Sequence, residues 1–308
     1  MIDVNKKLSE ILGEDFKKYR EEFTVAQKGK APKTPLSVVI GTVNRCNLNC
    51  KMCYKDYHKE PRVELPMWIN KKIINECREN KIPSITLGLD GEPLLDKNIK
   101  ETLTMLKGFD VFFSTNGVLL TDEIIKLLVD NQITRLRISL DAATPETYEK
   151  IRGFNFLKKI EDNIDKVIAY KKKQKSFLPT IRISFVVMED NKHEIKAFRK
   201  KWGNKVEVVD FQTFIDFKNI HKLTKRKVDD FCPFPFYALT IWGNGDICPG
   251  CNWFGQQLII GNIYKDNLMD VWNGKKIKKL REQIISKKFP LVCQNCLYAK
   301  DKDLIKNI

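Results

Sequence analysis

Residues 44–54 read NRCNLNCKMCY and follow closely on an apolar run from Leu36 to Ile40. The run is short and unbroken, the pattern of a strand buried on both faces. Just past it, Cys46, Cys50 and Cys53 stand in CxxxCxxC spacing. Thiolates gathered in one loop suit a soft metal centre. A structural zinc site needs four ligands. Cys50, Cys53 and His58 resemble the first three ligands of a zinc knuckle, but Val63 stands where the last cysteine would fall. An iron-sulfur cluster fits better, because three thiolates on a cubane leave one iron open to a substrate.

The 308 residues suffice for one large or two medium domains, and 43% hydrophobic with 31% charged residues is an ordinary globular balance. No apolar run approaches the roughly 18 to 20 residues of a membrane span. The N-terminal stretch MIDVNKKLSEILGEDFKKYREEF alternates charged and apolar residues at helical spacing, so it reads as an amphipathic helix and not a signal peptide. A cytoplasmic protein is expected, and nine cysteines there argue for metal or redox chemistry over disulfides. The formal net charge of +16 invites a nucleic-acid reading, but lysines are spread along the chain, as at Lys171 to Lys175 and Lys275 to Lys279. A base-reading surface favours arginine with interleaved aromatics, so the charge reads as a solvated surface.

After the cysteine loop the chain alternates regularly. Helical periodicity over Met67 to Asn80, Ile99 to Lys107, Asp122 to Asn131, Pro145 to Lys173 and Lys192 to Trp202 precedes apolar runs at Ser84 to Leu87, Val111 to Ser114, Arg135 to Ser139, Thr180 to Val187 and Val206 to Phe211. Repeated strand-helix units predict a parallel sheet, and six strands predict an open six-unit barrel. In such barrels the loops after the strands converge on one mouth. Those positions hold the cysteine loop, Gly88 to Pro93 (GLDGEP), Ser114 to Gly117 (STNG) and Ser139 to Asp141 (SLD), all polar or glycine-rich.

The cysteine spacing, with Tyr54 after Cys53, resembles the signature of the radical S-adenosylmethionine (SAM) superfamily. The resemblance implies a [4Fe-4S] cluster on Cys46, Cys50 and Cys53 whose open iron is chelated by SAM. It implies reductive cleavage of SAM to methionine and a 5'-deoxyadenosyl radical, with an electron donor such as flavodoxin or ferredoxin. Asp90-Gly91-Glu92-Pro93 stands where the family has Gly-Gly-Glu, with aspartate for the first glycine. Glu92 is then expected to receive the SAM ammonium and Gly91 to keep the permissive position. Thr115, Asn116 and Ser139 resemble positions that contact SAM's carboxylate or ribose, with Asp141 as a neighbouring support.

Beyond Phe211 the rhythm breaks, and residues 216–230 read as a connection. Cys232, the pair Cys248 and Cys251, and the pair Cys293 and Cys296 offer five thiolates for four places. Spacing alone does not separate zinc from iron-sulfur. The Asn244-Gly245-Asp246, Gly261-Asn262-Ile263 and final CxxC pattern resembles the SPASM or shorter twitch extension of radical SAM enzymes. It implies one auxiliary [4Fe-4S] cluster on Cys232, Cys293, Cys296 and one of Cys248 or Cys251, with Cys251 favoured. The surplus thiol is a buried spare, a further ligand or a hydrogen-atom donor. Phe231, Phe234, Phe236, Tyr237, Trp242 and Trp253 read as packing around that cluster. Cys77 reads as an inert core residue, and His193 and His221 have no clear partner. Asp56, Tyr57 and His58 follow the cysteine loop closely enough to face substrate, though a solvated loop explains them too.

The resemblance implies a partial (β/α)6 TIM-like barrel over residues 36–215, an N-terminal helix and linker over 1–35, and a cysteine-rich SPASM/twitch extension over 216–308. The expected reaction is hydrogen abstraction from a substrate C–H bond, ending in dehydrogenation or epimerisation. About 35 residues before the first strand are too few for a winged-helix leader-peptide domain, which leans the reading toward a small or carbohydrate-like substrate, with a peptide- or protein-modifying maturase as the alternative. A redox-sensing iron-sulfur protein that binds nucleic acid is the alternative of another class.

Overall fold

The computed structural model describes residues 3–54, 62–215, 231–251 and 257–294. Two helices, α1 (Val4–Leu12) and α2 (Glu14–Ala26), precede the first strand. One amphipathic helix was expected there. Gly13 at φ +80°, a conformation that costs glycine little, divides it.

The strand-helix alternation then runs β1 (Ser37–Ile40), α3 (Met67–Glu79), β2 (Ser84–Leu87), α4 (Ile99–Met105), β3 (Asp110–Thr115), α5 (Asp122–Asp130) and β4 (Arg135–Ser139). It continues through α6 (Pro145–Arg152), α7 (Leu157–Lys173), β5 (Thr180–Val187), α8 (Ile195–Trp202) and β6 (Val208–Thr213). The expected single helix from Pro145 to Lys173 is two. Thr144 caps α6 by accepting from Thr147 N–H, Pro145 opens it, and Gly153 closes it at φ +85°. A 3-10 turn at Lys192–Glu194 leads into α8, and the last expected strand lies two residues further on, at Val208–Thr213.

These six strands pair in parallel in chain order, and the sheet does not close on itself. At its other edge β7 (Ala238–Ile241) pairs in parallel with β1, in register from Ser37 with Ala238 to Ile40 with Ile241. β8 (Asp246–Cys248) and β9 (Gly261–Asn262) then add antiparallel strands. The cysteine-rich part therefore continues the same sheet. Between sheet and helices lies one large core, with Ile40, Phe113, Ile138, Phe185, Trp202 and Trp272 essentially inaccessible. A smaller cluster joins Leu8, Phe16 and Tyr19 to Leu36 and Leu178, which lie just before β1 and β5. The N-terminal helices thus cover the strand N-termini and leave the C-terminal ends as the mouth. After β9, α9 (Leu268–Trp272) and α10 (Lys275–Ile285) are tied back by Arg281. It stacks 4.0 Å from the Trp272 ring centroid and donates to Pro235 O at 2.8 Å. Among the described residues no helix is long and apolar enough to cross a membrane.

Candidate active site at the sheet mouth

An irregular loop leaves its backbone groups to be satisfied elsewhere. The cysteine loop is held from two sides. Glu92 N–H donates to Arg45 O at 2.9 Å, and Arg45 donates to Leu95 O at 2.7 Å. From α6, Ile151 O accepts from Lys51 N–H at 2.9 Å and Arg152 O from Asn49 N–H at 3.3 Å. Tyr54 adds a hydroxyl bond to Leu89 O at 3.1 Å. So pinned, Cys46, Cys50 and Cys53 all line one cavity of about 220 Å³ at the C-terminal ends of β1 to β5.

Gly91, Glu92, Thr115, Asn116, Ser139 and Asp141 line that same cavity, so every residue singled out as a SAM contact is brought to it. Gly91 is required by close approach. A Cβ there would stand 2.3 Å from Val43 O and 2.7 Å from Arg45 O, backbone atoms that cannot move aside. Aspartate is tolerated at the preceding position, where the family has its first glycine, because the tight approach falls on Gly91. Glu92 is 2% exposed. Its carboxylate accepts from Thr115 Oγ1 at 2.7 Å, Asn116 N–H at 2.7 Å and Leu94 N–H at 3.1 Å. Burial nevertheless pushes its pKa above the ordinary carboxylate value, against the pull of those donors. Asn116 is fixed in turn, with Nδ2 donating to Asn47 Oδ1 at 2.8 Å and lying 3.8 Å from Cys46 Sγ.

Two residues of the site escaped the sequence reading. Arg152, 6% exposed, ends α6 inside the cavity, donates to Cys50 Sγ at 3.4 Å and forms a buried ion pair with Asp141. Burial alone would lower its pKa, but Asp141 and Cys50 outweigh it and hold it above the usual value. Asn47 orients Asn116. Asp141 sits at φ +64° and accepts from Val186 N–H at 2.6 Å, which joins β4 to β5. Ser139 Oγ accepts from Ser184 Oγ at 3.5 Å.

The arrangement fits an iron-sulfur cluster. Amide and guanidinium donors aimed at Cys46 and Cys50 stabilise thiolate character. Among the described residues no three Cys, His, Asp or Glu side chains close on a single metal ion, and the three thiols instead line a shared space.

The second set gathers around β7 and β8. Cys232 and Cys293 pack against one cluster of Phe236, Leu280, Ile284 and Phe289. Cys248 ends β8, fully buried, and turns through Gly250 at φ +73° toward Cys251. A Cβ on Gly250 would stand 2.9 Å from Phe234 O, so this turn lies against the segment that follows Cys232. The rings of Phe231 and Phe236 pack at a tilt with centroids 5.0 Å apart, and Trp242 is buried. Neither Cys248 nor Cys251 lines the mouth cavity. Cys296, Asp56, Tyr57, His58, His221 and Trp253 lie outside the described residues. Cys77 is inaccessible in α3, and burial raises its thiol pKa. His193 is exposed, 3.9 Å from Glu194.

Comparison with known proteins agrees with this picture. The model of the radical SAM superfamily matches residues 40–201, more than half of the chain, and that of the SPASM iron-sulfur cluster-binding domain matches 232–297. A probable GTP 3',8-cyclase of Methanococcus aeolicus is 29% identical over 192 residues, covering 57% of this chain and 59% of that protein. The chain spans less than two thirds of the length of the first curated relatives it matches. Streptococcus suis SuiB bound to precursor peptide SuiA is 18% identical with a TM-score of 0.61, over 86% of this chain and 70% of that one. BtrN in complex with AdoMet and 2-DOIA is 17% identical with a TM-score of 0.54, over 81% and 86%. At these identities the solved structures share the fold. The chain belongs to the radical SAM superfamily, carries a C-terminal SPASM domain, and takes as cofactors SAM, a SAM-binding [4Fe-4S] cluster and auxiliary iron-sulfur.

Proposed function

We propose that this protein abstracts a hydrogen atom from an unactivated C–H bond of a small, carbohydrate-like substrate, with dehydrogenation or epimerisation as the net reaction. The observation that carries the reading is the single cavity in which three thiols meet Glu92, Thr115, Asn116, Ser139 and Asp141. When bound there, the cluster supplies the electron that cleaves SAM to methionine and a 5'-deoxyadenosyl radical.

The chain's own residues do the rest. Cys46, Cys50 and Cys53 hold the cluster, with Arg152 and Asn116 directed at two of the sulfurs. Glu92 offers the SAM ammonium a carboxylate already oriented by three donors. Ser139 and Asn116 present hydroxyl and amide groups to the rest of SAM. Cys232, Cys293 and Cys296 with Cys248 or Cys251 hold the auxiliary cluster, and the aromatic side chains packed about Cys232 and Cys293 tune its potential. When bound, the auxiliary cluster would supply an acceptor for the electron that the substrate radical gives up together with a proton in dehydrogenation. In epimerisation the surplus thiol, Cys248 or Cys251, would return a hydrogen atom to the radical carbon. Its thiyl radical would be reset by one electron, from the same external donor that supplies the SAM cluster, and one proton. The domains follow as 36–215 for SAM chemistry and 216–308 for the auxiliary cluster.

Anaerobically reconstituted protein given SAM and dithionite should form 5'-deoxyadenosine. Its absence with iron and sulfide in place would sink the reading. A second reading, cyclisation of a nucleotide, draws on the names of the archaeal relatives and requires that GTP be consumed in the same mixture.

A further inference from the structure

Four arginines, Arg135, Arg137, Arg152 and Arg182, lie on β4 and β5 or beside their ends, and their charges are met differently. Arg135 is paired with Asp110 and Arg152 with Asp141. Arg137, at the centre of β4, forms no ion pair among the described residues. Its Nε donates to Ser184 Oγ at 3.1 Å and its Nη2 to Gln212 Oε1 at 2.7 Å, while no bond uses Nη1. Gln212 Nε2 donates on to Asp210 at 2.8 Å, and Asp210 pairs with Arg182 at 3.6 Å. This layer therefore carries two guanidinium groups against one carboxylate. Burial disfavours the charged form of Arg137, and the Asp210 and Asp141 carboxylates, which act on it through space while paired with Arg182 and Arg152, do not offset that cost.

The layer adjoins the cofactor cavity. Ser184, which receives Arg137, itself donates to Ser139 on the cavity wall. Val186, which pairs with Gln212, lines the cavity as well. A guanidinium held by two side chains, with unused N–H groups, is set to take the two oxygens of a carboxylate or phosphate side by side. Hydroxyl groups alone would leave the charge unmet.

Building on the reading of this cavity as the SAM and substrate site, we propose that Arg137 anchors an oxyanion of the substrate, so the substrate is an anionic small molecule bearing a carboxylate or a phosphate. The test is equilibrium dialysis of radiolabelled inorganic phosphate and radiolabelled acetate against the reconstituted, SAM-loaded protein, with neutral glycerol as control. The wild type should bind at least one anion, and whichever binds names the group. Arg137→Gln should weaken that binding about tenfold or more. Arg137→Lys, which keeps the charge and loses the fork, should fall between. SAM affinity should stay within about twofold in both variants. The proposal is overturned if neither anion binds the wild type, if Arg137→Gln binds the anion as well as wild type, or if it loses SAM affinity about tenfold, which would assign Arg137 to SAM. Formation of 5'-deoxyadenosine by the wild type separates the outcomes. Without it the functional reading fails whatever the anions do, and with it a null effect at Arg137 removes the oxyanion anchor alone.

Discussion

Replacing Asp141 by asparagine removes one charge from the mouth of the sheet and almost no volume. Asparagine tolerates the positive φ of 64° as aspartate does, and its carbonyl oxygen can still accept from Val186 N–H. What is lost is the counter-ion of Arg152. The two side chains are 1% and 7% exposed, so solvent screening does little to soften the change. Breaking a buried pair from one side costs about 3–5 kcal/mol, because the partner is left charged and enclosed. With an m-value near 3 kcal/mol/M, the urea midpoint of the metal-free chain should fall by about 1–1.7 M at unchanged slope. Tryptophan fluorescence follows the transition, since Trp202, Trp242 and Trp272 are all buried. The double variant Asp141→Asn/Arg152→Met removes the stranded cation and should recover most of the loss. A single variant costing less than about 1 kcal/mol, or a double variant no more stable than the single, would refute the view that this charge pair fixes α6 against the cysteine loop.

Gly91→Ala must displace backbone at Val43 and Arg45. We expect a loss of about 1–3 kcal/mol in thermal or urea unfolding together with poorer iron retention at Cys46, Cys50 and Cys53; wild-type stability and iron content would contradict the close approach. Burial raises the Glu92 pKa, so the folded chain binds this proton more tightly than the unfolded one. Its contribution to stability is complete below the unfolded value of about 4.3 and is lost as pH rises through the folded one. Glu92→Gln should flatten that descent in urea midpoints taken across the range, and an unchanged descent would clear Glu92 of it. SAM affinity in the wild type, which needs the ionised carboxylate, should weaken as pH falls through the same raised value, whereas in Glu92→Gln it should be weak and level throughout. Alanine at Cys46, Cys50 and Cys53 together should leave about half of the iron and sulfide, the share of a second cluster of the same type; complete loss would mean that the two cysteine sets depend on one another.

What the sequence made legible is local. β2, β4 and β5 fall where they were expected; β2 carries the nearly unbroken apolar signal of a strand buried on both faces, whereas RLRIS in β4 alternates and buries only Leu136 and Ile138. The residues at the strand ends were legible because turn and cap chemistry interrupts that signal. Arg152 was not, since it was read as the middle of one long helix, and only the stop at Gly153 turns it from a surface residue into the partner of Asp141 and Cys50. Arg137 was hidden for the opposite reason. It alternates correctly in a strand, and only the neighbouring strands show that its side chain bonds to Ser184 and Gln212 and not directly to a carboxylate.

The relation between the two cysteine sets is the least local feature of all. Almost two hundred residues separate β1 from β7 in the sequence, yet they pair, and Gly41 N–H, one residue past β1, donates to Ile241 O at 2.8 Å. The loop carrying Cys46, Cys50 and Cys53 therefore leaves the sheet beside the turn that leads into β8 and Cys248. Gly243 in that turn approaches closely, since a Cβ there would meet the Val63 side chain at 2.9 Å and Gly41 O at 3.4 Å. Among the described residues, the loop with Cys46, Cys50 and Cys53 leaves β1 and Cys248 ends β8, with β7 alone between those two strands in the sheet. Backbone hydrogen bonds between β1, β7 and β8 hold that spacing, so the distance from the cysteine loop to Cys248 is set by the sheet.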